Sequence, residues 1–350
     1  MRERRDRTVA LGRVLHRRYS RPFWALHSAW ALFTGLVVLV LAHNRYGFLP
    51  WVVLFLTLTW ASTLFFSRFT AGRESGRLSF AHGFVSYLTR VMYQETLFFL
   101  LPFYFYSTTF PSWNSGYVVG LAALALLSCF DMVFDPLLRT RRPFAVGFFA
   151  VVTYSALQLF LPLVLHVQIH NGAYLAAALA FFASLPVAYS WQELRQPRRL
   201  ALFALSLAAI IGVLKLGRAM MPPVPLRLTR MSFAASIDPT TLTLDRELAR
   251  VVSIAELPHG RLCVRATIFS PGRLPVRARL RFLRDGKLLK TSRLLDLVAH
   301  RRGFRVWDAL RGGPDGLTPG LYRVEVWTGE GQLVGRSDIR ITAKSVRGTS

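Results

Sequence analysis

Seven apolar runs fill the first two thirds of the chain, near residues 23–42, 47–66, 91–110, 116–135, 143–165, 172–191 and 199–217. A helix rising 1.5 Å per residue needs about 20 mostly apolar residues to cross a hydrocarbon core. Each run therefore predicts one membrane-spanning helix. The last is the weakest, because its clean stretch, 200–214, is short and Lys215 has to snorkel toward the interface. Without it six spans remain, and the end of the chain lies on the same side as its beginning.

Beyond Met220 the pattern changes. Met221-Pro222-Pro223-Val224-Pro225 cannot continue a helix and reads as a short, stiff, extended linker. Alternation of period two then predicts strands over 228–234, 251–256, 261–269, 276–284, 288–297, 304–307, 321–327 and 333–341. Asp285-Gly286 between two of these runs is a strong hairpin signal, because the favoured two-residue turn needs positive φ at both positions.

Together these patterns predict an α-helical transmembrane bundle of about seven spans followed by an all-β, immunoglobulin-like sandwich. The expected domains are a basic N-terminal segment (1–21), a transmembrane domain (22–217), a Pro-rich linker (218–226) and a β-sandwich domain (227–345).

Composition supports a bilayer as solvent: 53% of the 350 residues are hydrophobic and only 18% charged, against about a quarter charged in soluble proteins. The formal net charge of +26 raises nucleic acid as a partner, but its distribution argues against one. In the helical part the arginines sit between the apolar runs. Eight precede the first run, Arg68, Arg73, Arg77 and Arg90 separate the second from the third, Arg139, Arg141 and Arg142 follow the fourth, and Arg195, Arg198 and Arg199 follow the sixth. The alternate connections hold one arginine, Arg45. Cytoplasmic loops are the basic ones, so the N-terminus is expected inside and, with an odd number of spans, the C-terminal domain outside. Cys129 and Cys263 lie in different environments and read as buried, inert thiols.

The stretch 276–341 carries Arg281-Phe282-Leu283-Arg284-Asp285-Gly286-Lys287, Gly303-Phe304-Arg305-Val306-Trp307 and Pro319-Gly320-Leu321-Tyr322-Arg323-Val324-Glu325-Val326. On this glycine-plus-aromatic spacing it resembles a bacterial domain of unknown function, number 2914. The helical part is similar to the multispan module often joined to that domain, through Gln94-Glu95-Thr96-Leu97-Phe98-Phe99-Leu100-Leu101-Pro102-Phe103-Tyr104 and Asp131. The resemblance implies an envelope protein without an assigned activity. Combined with the charge asymmetry, it leads to the expectation of a multi-pass protein of the bacterial inner membrane with a periplasmic or extracytoplasmic β domain.

Ionisable groups inside spans are costly and are functional candidates by default. Gln94, Glu95, Asp131 and Asp135 form the candidate intramembrane polar site, with Glu193 at the end of the sixth run. Asp131 and Asp135, four apart, share a helix face, and with Glu95 would suit a proton, an ion, a substrate or a hard divalent cation. The competing reading pairs them with Arg90, Arg139 and Arg142. His166 and His170 have a zinc-compatible spacing, with His43 needed as a third ligand. No nucleotide-binding glycine motif, nucleophile elbow or paired-His metalloprotease signature is present, so no catalytic residue, metal or cofactor is assigned and enzymatic activity is not the favoured reading.

In the β region Arg277, Arg279 and Arg281 alternate with Ala278, Leu280 and Phe282, which puts three guanidinium groups on one strand face. Such a patch would attract anionic lipid headgroups or an acidic envelope polymer; the alternative is a solvated face whose charges blunt edge pairing. Phe304, Trp307, Tyr322 and Trp327 read as core, with a carbohydrate platform as the alternative. The expected partners are therefore the bilayer and an anionic lipid, an envelope polymer or another membrane protein. Three functions stay open: an envelope-binding module, a membrane enzyme or transporter built on the carboxylates, and a structural subunit of a membrane complex.

Overall fold

A computed structural model describes residues 76–165, 167–257, 260–270, 277–300, 303–313 and 316–343, together with residues 29, 30, 33 and 37. Its helices are α1 (Gly76–Tyr106), α2 (Ser115–Cys129), α3 (Asp131–Thr140), α4 (Arg142–Val164), α5 (Ile169–Ala188), α6 (Trp191–Leu194) and α7 (Pro197–Leu216).

The expected seven-span bundle is corrected by these helices. Among the described residues three helices are long and apolar enough to cross a membrane: Arg142–Val164, Asn171–Ala188 and Pro197–Leu216. A fourth is added only if Ser115–Cys129 and Met132–Leu138, bent by 95° at their junction, form one broken span. An apolar run of the right length does not guarantee one straight helix. The run 116–135 breaks at Phe130, ahead of Asp131 and of Pro136, which cannot donate to the helical ladder. The run 91–110 is the second part of the 31-residue α1, where Tyr93, Gln94, Glu95 and Thr96 dilute its apolar character. The runs 23–42 and 47–66 lie outside the described residues apart from four positions.

The chain divides into two compact units. The first comprises Met1–Pro102, Val119–Ala156 and Ala178–Leu205. Aromatic edges hold its described core: Phe134 meets Phe148 at a centroid distance of 4.9 Å, and Phe148 meets Tyr93 at 5.4 Å. The second unit comprises Phe103–Val118, Leu157–Ala177 and Ser206–Ser350, so helix ends and all the strands belong to one body.

In that second unit a β domain follows the apolar helices. Its strands are β1 (Arg227–Ala234), β2 (Val251–Ser253), β3 (Arg261–Phe269), β4 (Arg277–Arg284), β5 (Lys287–Thr291), β6 (Leu295–Asp296), β7 (Val298–His300), β8 (Gly303–Arg311), β9 (Gly320–Thr328) and β10 (Leu333–Thr342). Every strand expected from the alternation falls on one of these. The stretch 251–256 ends early, where Ser253 and Glu256 form a capping box on a short 3₁₀ turn. The stretch 288–297 divides between β5 and β6.

One sheet has the order β1-β3-β8-β7 and the other β2-β10-β9-β4-β5, with β6 pairing β4. Leu262, Val264, Ala266 and Ile268 of β3 share a single buried core with Leu280, Phe282, Val324, Val326, Ile339 and Ile341 of the second sheet, so the sheets pack face to face. The Tyr322 hydroxyl donates to the Thr318 carbonyl at 2.8 Å at the head of β9, the corner found in immunoglobulin-type sandwiches. Asp285 and Gly286, with φ of 47° and 84°, make the β4–β5 turn as the sequence predicts. Gly335 is required for a different reason, because a Cβ there would lie 2.4 Å from Leu228 Cβ.

The Pro-rich segment is turned and buried rather than extended. Arg218–Met220 form a 3₁₀ turn, and Pro222 to Leu226 are all buried. The strands consequently lie against the helix ends of the same unit. Ile169, at the start of α5, is buried in the core of the β domain. Asn114 is fully buried and donates to the Leu333 carbonyl at 3.2 Å, while its own oxygen accepts from the Thr109 amide and the Ser112 hydroxyl. The Arg218 guanidinium stacks over Tyr174, donates to its hydroxyl, and pairs with Glu330 at 3.0 Å. Arg336 donates to the Pro111 carbonyl.

Asn114→Ala removes one donor and one doubly used acceptor from a dry site. We expect it to lower the unfolding free energy of the full chain by about 1–3 kcal/mol, read as a lower thermal midpoint in detergent. Ser115→Ala, which loses only a local bond to Ser112, is expected to cost less.

Candidate functional site

Strand β4 alternates as the sequence implies. Ala278, Leu280 and Phe282 enter the core, and Arg277, Arg279 and Arg281 take the opposite face. Register then decides what those arginines meet. Arg279 lies opposite Trp327 and Arg281 opposite Glu325 on β9, while Glu325 and Arg323 lie opposite Arg336 and Asp338 on β10. The outer face of the six-stranded sheet thus brings together Arg277, Arg279, Arg281, Arg323, Arg336 and Arg340.

Each of the three β4 arginines has a partner. Arg277 Nε lies 3.1 Å from the Asp296 carboxylate, Arg279 donates to the Gly329 carbonyl at 3.0 Å, and the Arg281 guanidinium sits 4.5 Å from the Trp327 ring centroid. The Trp327 indole N–H donates to Glu325 at 2.8 Å. Arg323 makes a two-pronged pair with Asp338, at 2.8 and 3.0 Å. That fork pushes the Asp338 carboxyl below its ordinary value of 3.8 and raises the Arg323 guanidinium. Among the described residues three carboxylates, Asp296, Glu325 and Asp338, stand against six arginines, so the face keeps a positive excess even though five of its arginines are individually held.

The alternation identified the β4 arginines but not their setting. Glu325, Trp327, Arg336 and Asp338 repeat the same period of two on β9 and β10, which is the signal that could have found them. It becomes specific only when the register is known.

The polar residues singled out in the helical region are placed differently. Gln94 is buried and Glu95 half-buried on α1, and both take part in contacts within the structure. Asp131 opens α3 and Asp135 lies one turn further on; their side chains lie outside the described set, as do those of His166, His170 and His43. Among the described residues no group of three or more His, Cys, Asp or Glu is placed to hold a metal ion. Glu193 has a local role. It completes a capping box with Ser190 and pairs with Arg199 at 3.2 Å, and the Ser190 hydrogen bonds together with Arg199 hold its carboxyl below the usual range.

Residues 6–262 match the model of a family of unknown function, DUF5924. The chain belongs to this family. The match takes in the helical region, β1, β2 and the first residues of β3, and it ends before the 276–341 stretch on which the resemblance to domain 2914 rests. The family number therefore differs from the one that the resemblance suggested, while the unassigned function agrees. Among curated proteins nothing matches the chain.

The Arg323–Asp338 pair makes stability depend on acid in one direction. A carboxyl whose native value is depressed stabilises the fold above the ordinary aspartate value and loses that contribution as the pH falls through the native one. Thermal unfolding of the full chain between neutral pH and pH 3 is expected to show this loss, and Asp338→Asn is expected to remove it while lowering stability at neutral pH.

Proposed function

We propose that this chain is a multi-pass protein of the bacterial inner membrane whose β domain, on the outer side, holds an acidic component of the envelope against the arginine-rich sheet face. The observation that carries this reading is the excess of positive charge, six arginines against three carboxylates among the described residues, on the outer face of one sheet. Attraction of that kind draws anionic headgroups and acidic polymers and weakens with salt. The resemblance of residues 276–341 to domain 2914 belongs to the same reading, as an envelope module appended to the family's helical part.

Orientation rests on which connections are basic. Those grouped with the β domain, 107–114 and 165–168, contain no Lys or Arg. Arg139, Arg141, Arg142, Arg195, Arg198 and Arg199 belong to the other unit. Retention of basic connections in the cytoplasm then sets the N-terminus inside and the β domain outside. Reporters active on only one side of the membrane, fused after Ser350 and after Arg141, are expected to light up outside and inside respectively. A cytoplasmic signal after Ser350 would overturn the orientation.

The face itself is tested with the full chain in zwitterionic nanodiscs, presented to vesicles containing phosphatidylglycerol. Binding is expected at low salt and is expected to fade as ionic strength rises. At about 1 kcal/mol for each arginine near an anionic surface, replacing Arg277, Arg279 and Arg281 together by Gln should weaken it roughly 100-fold. Binding that survives the triple substitution unchanged would sink this reading.

A further inference from the structure

On the other sheet a separate concavity has a different character. The excursion from Ala235 to Arg250, between β1 and β2, folds over the outer face of the four-stranded sheet and buries Ile237 with Cys263 and Ala309. Beside this cover lies a cleft of about 490 Å3, within the range of about 300–1,000 Å3 common for small-ligand sites. Leu242, Leu294 and Leu295 supply its apolar lining, Trp307 an aromatic wall, and Arg293 and Arg305 two guanidinium groups.

The cover is held in shape before any ligand arrives. The Asp238 carboxylate accepts from the Thr240 amide and the Thr241 hydroxyl, at 2.9 and 2.6 Å. Leu242 adopts a φ of 55°, which a branched side chain rarely tolerates, and the Arg265 guanidinium donates to its carbonyl at 2.8 Å. A preformed cleft loses less freedom on binding than a loop that must be ordered.

Its charges are unbalanced. Arg265 is held below the ordinary arginine value, first by burial and then by the neighbouring positive charge of Arg305. Among the described residues lining the cleft the carboxylate is Asp296, already paired with Arg277 through a single oxygen at 3.1 Å. Its second oxygen remains available to accept from hydroxyl groups, while the two guanidiniums suit a planar carboxylate or a phosphate. An indole wall packs against the C–H face of a sugar ring.

We propose that this cleft binds a single acidic sugar unit, with its carboxylate or phosphate between Arg293 and Arg305, its ring against Trp307 and a hydroxyl donating to Asp296. The site goes beyond the sheet-face reading: its anion-binding residues, Arg293 and Arg305, are not among the arginines tested there, and Arg277 touches it only through Asp296, so either proposal can fail without the other.

Equilibrium dialysis of the full chain in detergent, with radiolabelled glucuronate, glucose 6-phosphate and glucose, tests it. Saturable retention of at least one acidic sugar is expected with a dissociation constant of about 1 mM, the scale for a ligand of this size. Glucose should bind at least about tenfold more weakly. The stronger of the two acidic probes tells whether the anion is a carboxylate or a phosphate. Arg305→Gln and the exposed Arg293→Gln should each weaken retention about tenfold. Arg246→Gln, on the exposed part of the cover, should leave it unchanged. Equal retention of glucose, no saturation below about 50 mM, or undiminished retention by a folded Arg293→Gln protein would overturn the proposal.

Discussion

Ten residues, 217–226, separate the last apolar helix from the first strand, and the arrangement of the second unit follows from how little reach they allow. A fully extended segment of that length spans at most about 35 Å, and this one is shortened further by its 3₁₀ turn and by burial of Pro222 to Leu226. The strands are therefore delivered onto the helix ends, where backbone groups need partners. Asn114 and Arg336 supply some of these bonds, and Arg218 ties a helix residue, Tyr174, to the β9–β10 turn at Glu330. A domain fixed in this way presents defined faces.

Inside the β domain the same economy of polar groups governs the charged positions. Arginines in β4, β9 and β10 line one outer face, and Arg277, Arg279, Arg281, Arg323 and Arg336 are each met by a carboxylate, a carbonyl or an aromatic ring. Cross-strand pairs of opposite charge support the sheet at roughly 0.2–1 kcal/mol each, so these residues contribute to the fold as well as to its field. Partners for individual arginines do not neutralise the surface, because the carboxylates are fewer. A structural role and an attraction for anions are compatible on this face.

The two proposed surfaces differ in what they ask of a ligand. The six-stranded face is broad and suits multivalent, salt-sensitive contact with a headgroup layer or a polymer. The cleft beside the 235–250 cover is small and walled, and it combines charge with an aromatic plane, which selects for shape as well as for sign.

Period alone was sufficient for the strands, the Asp285-Gly286 turn and the outward position of Arg277, Arg279 and Arg281, because side-chain alternation and positive φ are local properties of the chain. Apolar length was not sufficient for the spans: the break at Phe130 and the continuation of α1 back to Gly76 depend on how helices begin and end, which a count of hydrophobic residues does not contain. Register between β4, β9 and β10 decided that Arg281 meets Trp327 and that Arg323 meets Asp338. Packing decided that Asn114, which no sequence pattern singles out, is a buried junction, and that Arg293, Arg305 and Trp307 share a cleft with Leu242. These are contacts between segments tens to hundreds of residues apart, and only the folded chain brings them together.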